Sequence, residues 1–180
     1  MSSSLITNIR GEVTYSVLRH NEVISCEKTH NMVVLSSRGF LARLASGQIP
    51  CSPLAAMAIG TSSIAPSINQ SQLGQEVYRM VLPTSGTNGE LAANFVTLGD
   101  TVTLTLRQKL TPFFSSASGI ATTALTNSVT IQEFGLICGL TVAAPGLITT
   151  GTLFNRALLG PAVLLAPTDS LLIENVITWG

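Results

Sequence analysis

Few side chains in this sequence have the types and spacing that chemistry needs. His20, Cys26 and His30 come nearest to a metal cluster, since imidazole and thiolate are zinc ligands. Their spacing matches no zinc pattern and no fourth ligand stands close by, so a surface loop or a core histidine accounts for them more simply. Cys26 or Cys51 beside His20 or His30 would supply a nucleophile and its base if folding brought them together. Cys26, Cys51 and Cys138 are odd in number and widely spaced, which fits neither a disulfide framework nor a C-x-x-C ligand set, and they are expected to be small buried hydrophobes. The nine carboxylates are scattered and form no acid–base pair of the kind glycoside chemistry uses. No G-x-S-x-G elbow, phosphate-binding G-x-x-x-x-G-K-[ST] loop or H-E-x-x-H helix is present. The expectation is a protein that is not an enzyme, with no catalytic residue, no cofactor and no metal.

Two charges invite a structural reading instead. Glu133 stands within Ile131-Gln132-Glu133-Phe134-Gly135-Leu136, and Arg156 within Leu153-Phe154-Asn155-Arg156-Ala157-Leu158, both strongly apolar surrounds. A buried charge must be paired or it costs several kcal/mol, so Glu133 and Arg156 are expected to pair across neighbouring strands or between subunits, with exposure at a sheet edge as the alternative. Glu76 and Arg79 either pair locally at helical spacing or, as the simpler reading, face solvent singly. Trp179 is read as an edge-of-core side chain or as an anchor to another subunit, and the Leu5-Ile6 pair as part of a frayed end or of an arm laid on a neighbour. The possible interface residues are therefore Leu5, Ile6 and Trp179.

These groups sit in a chain of unusual composition. Of 180 residues 46% are hydrophobic and only 10% are charged, with nine basic residues balancing nine acidic ones; soluble proteins average about 25% charged. Binding nucleic acid by charge is excluded, because neutralising phosphates takes a surplus of Lys and Arg. Sparse charge also favours association, so much of the surface is expected to meet other subunits. A membrane span is not expected: the most apolar region, Gly135 to Ala166, is broken by Pro145, Asn155, Arg156 and Pro161 and by several glycines. The start, Met1-Ser2-Ser3-Ser4-Leu5, lacks the basic and long apolar regions of a secretory signal, and assembly in a cytoplasm is expected.

Short apolar, Thr-rich, β-branched runs separated by Gly, Pro, Asn and Ser predict a mainly β chain. Strands are expected at Glu12 to Leu18 and Glu22 to Cys26, forming a hairpin about Arg19-His20-Asn21. Others are expected at Leu54 to Ile59, Thr101 to Arg107, Val129 to Phe134, Thr152 to Leu159 and Ser170 to Thr178. Leu73 to Leu82 reads as a helical turn passing into a strand, and Thr61 to Gln72 and Gly139 to Thr150 as loops. Val33, Ser37, Phe40, Leu41 and Leu44 recur at helical spacing and predict one amphipathic α-helix near residues 31–45. Together these give a β-sandwich or jelly-roll-like domain over residues 11–180, preceded by an N-terminal arm of residues 1–10.

Three segments taken together carry a resemblance. Ala58-Ile59-Gly60-Thr61, with Ala65-Pro66, Leu73, Glu76 and Tyr78-Arg79, resembles a passage common in a family of small tailed-bacteriophage virion proteins. Val129 to Leu136 is similar to that family's T-I-x-E-x-G-L-F strand. Gly151-Thr152-Leu153-Phe154-Asn155-Arg156, Asp169-Ser170-Leu171 and Ile177-Thr178-Trp179 are similar to its ending. Ile137-Cys138 after Leu136, and the late position of Trp179, depart from the family pattern. The resemblance implies a non-catalytic structural role in a virion, in a family whose members are capsid-associated or tail-associated. Taken with the sparse charge, the expectation is a capsid cement or decoration protein that associates with itself and with the major capsid protein or other virion proteins. A tail, baseplate or fibre-associated component is the alternative in the same class, and a carbohydrate-binding or hydrolytic virion module the alternative outside it.

Overall fold

Alternation of Val13, Tyr15 and Val17 with polar neighbours makes β1 (Ile9–Arg19) a strand with one buried face. It turns through His20 and Asn21, both with left-handed backbone (φ 51° and 69°), into β2 (Glu22–Val33). Two positive φ angles in a two-residue turn match the right-handed twist of the flanking strands. The computed structural model describes residues 9–39, 46, 54–82, 91–99, 101–113, 124–144 and 147–180.

The remaining strands are β3 (Leu54–Gly60), β4 (Glu76–Val81), β5 (Leu91–Leu98), β6 (Thr101–Leu110), β7 (Val129–Ala144), β8 (Leu147–Leu165) and β9 (Asp169–Trp179). They form one antiparallel sheet in the order β4-β3-β7-β8-β2-β1-β9-β6-β5. Its weakest seam is β2 against β8, where Asn31 to Val33 pair with Ala157 to Asn155 and no further residues join. At that seam the sheet curls, so that the half β4-β3-β7-β8 faces the half β2-β1-β9-β6-β5 across a shared core containing Tyr15, Tyr78, Phe134, Phe154, Leu110 and Ile173. Hydrogen bonds cross between the halves: the Tyr15 hydroxyl donates to the Pro161 carbonyl at 3.0 Å, and the Tyr78 hydroxyl to the Thr111 carbonyl at 3.4 Å. Near the seam Asn31 and Asn155 both donate to the Asn175 side-chain oxygen, at 3.3 and 3.5 Å, and Leu136 N–H donates to Asn155 at 3.2 Å. Among the described residues the chain is thus mainly β with one short helix, and its two packed layers come from a single curled sheet.

Several local expectations change. The helix expected near residues 31–45 occupies residues 35–39 among the described residues (α1), because Asn31 to Val33 are drawn into the ladder with β8. Asn31 is a sheet residue whose side chain bonds Asn175. The loop expected over Gly139 to Thr150 is largely strand, since Thr141-Val142-Ala143-Ala144 and Leu147-Ile148-Thr149-Thr150 extend β7 and β8 as a hairpin. No helical turn precedes β4, whose approach through residues 71–75 is bent. Strand β5 was not expected at all; Leu91-Ala92-Ala93-Asn94-Phe95-Val96-Thr97-Leu98 has no alternating pattern, yet it pairs residue for residue with β6. Ile9 and Arg10, expected in the arm, begin β1 opposite Trp179 and Thr178.

At the end of the sheet away from Trp179, Arg19 on β1 clamps the turn between β8 and β9. Its Nε and Nη2 bond Asp169 at 2.8 and 3.0 Å, while Asp169 also accepts the Ala166 N–H at 3.0 Å. The Arg19 hydrogen bond holds the Asp169 carboxyl below its ordinary value of 3.8, against the opposing effect of burial. A carboxyl lowered by folding stabilises fully above its unfolded value and loses that contribution as pH falls through the folded one. Urea unfolding carried from about pH 5 to about pH 2 should therefore show a smaller loss of stability in Asp169→Asn than in the parent. The chain has two tyrosines, and burial raises both Tyr15 and Tyr78 above 10.0. An alkaline absorbance titration should show no phenolate step at 10.0 in the native protein, and both phenols should titrate there once urea has unfolded it.

Candidate functional site

On the outer face of the four-stranded half, register places polar and very small residues in neighbouring rows. Glu76, Gly60 and Glu133 lie opposite one another across β4, β3 and β7; the next row is Arg79, Ala58, Gly135 and Arg156 across β4, β3, β7 and β8. Small residues between the charges leave a shallow floor. Over it runs residues 61–75, a strap joining β3 to β4. Gly60 and Gly135 are the two points where the floor must stay bare. A Cβ on Gly60 would collide with the Gln75 carbonyl and the Glu133 carboxylate, and one on Gly135 would stand 2.8 Å from Leu153 and 2.9 Å from Leu73. Leu73 is buried there with Val34, Ala56, Ala58, Ile137 and Leu153, forming a second apolar cluster on the opposite face of the sheet from the main core.

The strap is held through the Glu133 carboxylate. Arg156 Nε lies 2.7 Å from Glu133 Oε2, and both side chains are fully buried. The same carboxylate accepts three strap amides: Gln75 N–H at 2.7 Å, Gly74 N–H at 2.9 Å and Ser62 N–H at 3.3 Å. Arg156 Nη1 reaches the strap from the other side and donates to Gln70 Oε1 at 3.0 Å, an oxygen that also accepts Ser67 N–H. Backbone bonds close the edges: Thr61 N–H donates to Gln75 O at 2.9 Å, Leu153 N–H to Ser71 O at 3.0 Å, and Leu35 N–H on α1 to Ile68 O at 2.8 Å. Donors in the strap thus converge on a fully buried carboxylate, which is the condition for a buried charge to be tolerated.

A bulge in β4 gives Glu76 and Arg79 the same face, because Gly60 pairs with Glu76 while Ile59 pairs with Tyr78. They form a two-bonded ion pair, each contact 2.7 Å, which corrects the simpler expectation that each faces solvent singly. The structure does not gather His20, Cys26 and His30. His20 is in the β1–β2 turn, while Cys26 and His30 stand exposed on β2, four strand residues apart. Groups of three or more potential metal ligands are absent among the described residues. The expectation that the cysteines are buried is corrected at Cys26, which is exposed because β2 has only β1 beside it there. Cys138 is buried on β7, 3.3 Å from the Thr152 carbonyl. Trp179 packs partly buried against the core, opposite Ile9 and Val102. Leu5, Ile6 and Cys51 lie outside the described residues.

Sequence reasoning missed the acceptor role of Glu133 and the parts played by Ser62, Gln70, Gly74 and Gln75. The available signal was a polar loop with two glycines at its borders, Gly60 and Gly74, next to a buried carboxylate. The site offers structural clamping: the Glu133 carboxylate is met by Arg156 and three strap amides, and Arg156 Nη2 is buried without a hydrogen-bond partner. No protein-family model, curated protein or solved structure matches the chain.

Removing either partner of the buried pair should be strongly unequal in effect. Glu133→Gln leaves a buried guanidinium and sets an amide NH2 against strap donors, and should cost about 3–5 kcal/mol in urea unfolding. Arg156→Met leaves the buried carboxylate without its counter-ion and so also destabilises, but it keeps the three amide–carboxylate bonds and should cost less. Limited proteolysis should cut residues 61–75 readily in Glu133→Gln alone; equal losses and equal cleavage would contradict this assignment.

Proposed function

We propose that the protein is a non-enzymatic structural subunit of a tailed-bacteriophage virion, a capsid cement or decoration protein acting through many copies. The observation that carries this reading is where its apolar surface lies in so sparsely charged a chain. Val23 and Ile24 on β2, and Val96 and Leu98 on β5, are exposed, and these strands are the two borders of the five-stranded half-sheet. Leu164 on β8 and Ile64 on the strap add to it. With 10% charged residues, little on such a surface opposes association. The buried ionised groups Glu133, Arg156 and Asp169 are all engaged in ion pairs within the fold, which favours a scaffold over a reaction centre. The resemblance of Val129 to Leu136 and of Gly151 to Arg156 to virion proteins supplies the biological setting.

In this role the subunit is made in the host cytoplasm and ends in the virion, in contact with copies of itself and with the major capsid protein. It stabilises a head by burying apolar area across junctions of the shell, worth about 25 cal/mol per Å² before association costs are subtracted. Single contacts of this sort are weak and gain strength by repetition on a lattice. No nucleic acid, membrane or cofactor takes part.

Addition of the purified protein to undecorated heads, followed by heating, tests the reading. Bound protein should raise the temperature at which DNA is released. An unchanged release temperature contradicts a cement role, and binding confined to tails would move the protein to a tail-associated position.

A further inference from the structure

Three asparagines meet on the core side of the sheet close to the seam: Asn31 on β2, Asn155 on β8 and Asn175 on β9. Asn155 and Asn175 are fully buried. Asn31 reaches β9 although β1 lies between the two strands, because β1 is bare at that point. Asn31 stands opposite Gly11 of β1, and a Cβ on Gly11 would collide with the Asn31 amide. The Asn31 side chain therefore lies across the Gly11 backbone toward Asn175.

Which way each amide points is fixed from one end of this relay. Leu136 N–H can only donate, so Asn155 turns its Oδ1 toward it, at 3.2 Å, and its Nδ2 toward Asn175, at 3.5 Å. Asn175 must then present Oδ1 as the acceptor, and Asn31 must bring Nδ2 to the same oxygen, at 3.3 Å. Turning over any of the three sets donor against donor or acceptor against acceptor. The relay ends in two atoms left over, Asn31 Oδ1 and Asn175 Nδ2, both buried and neither with a hydrogen-bond partner. One is an acceptor and the other a donor, and they belong to amides already in contact.

We propose that one buried water molecule binds here, donating to Asn31 Oδ1 and accepting from Asn175 Nδ2, so that the two amides and the water close a ring over Gly11. Buried polar groups without a partner carry a desolvation cost, and interior waters are held where about two to four such groups converge. The chemistry of the site selects its occupant. Both groups are neutral amides, so an ion would gain no counter-charge, and the buried Glu133 and Arg156 lie on the other face of the sheet. Ile173 and Ile177, fully buried, flank Asn175 on its own face of β9 and offer a larger polar molecule no further partner. Water donates and accepts at once. It ties β2 to β9 at Asn31, the first residue of the short seam with β8, and so holds the sheet where it curls. This assignment is independent of any role in a virion.

A crystal structure of the full chain that resolves ordered waters tests the site directly. An oxygen about 2.7–3.2 Å from both Asn31 Oδ1 and Asn175 Nδ2 is expected. A direct bond between those two atoms, or both left with no partner, overturns the proposal. In solution, oxygen-17 relaxation dispersion should count one more long-lived water in the parent than in Asn175→Leu, which puts an apolar side chain of similar size in place of the amide. Equal counts in the parent and a folded Asn175→Leu overturn it as well. The crystallographic test uses the parent alone and does not depend on the variant folding.

Discussion

A carboxylate buried at Glu133 has to find hydrogen-bond donors, and that requirement organises one whole layer of the molecule. Arg156 supplies one, and the amides of Ser62, Gly74 and Gln75 supply the rest. Because the donors come from a connecting segment, residues 61–75 are laid down as part of the fold. The small residues Gly60, Ala58 and Gly135 give the strap room to approach. Leu73 fills what remains, and the outer face of β3 and β7 becomes a second apolar layer where solvent would otherwise reach the sheet. A pair of this kind contributes more to specificity than to net stability, since the desolvation it incurs offsets much of its attraction.

What could be read from the chain follows the range of the interactions involved. Strands with strict alternation, such as Val13, Tyr15 and Val17, announce themselves because one face is core and the other solvent. The same holds for Leu104 and Leu106 on β6 and for Ile173 and Ile177 on β9. Glu133 and Arg156 were legible as partners because an ionised side chain amid Phe, Leu and Ile has few other solutions. Failures came where a distant segment decided the outcome. The spacing of Val33 and Ser37 is helical, yet pairing with β8 claims the first three residues of that stretch, and α1 begins only after Val34 donates to Phe154. Strand β5 has no pattern of its own and depends on β6. Exposure of Cys26 follows from sheet order, which composition does not encode.

Rigid interior and open border are complementary in this architecture. The curl of the sheet hides two tyrosines and a network of asparagines, and the strap covers the ion pair, while β2 and β5 are left at the borders of their half-sheet with apolar side chains outward.

Residue-resolved amide hydrogen exchange of the protein tests the account most directly. It predicts that Gly74 and Gln75, whose amides donate to Glu133, exchange as slowly as the core of β7 in the parent and fast in Glu133→Gln. Rapid exchange at Gly74 and Gln75 in the parent would contradict it.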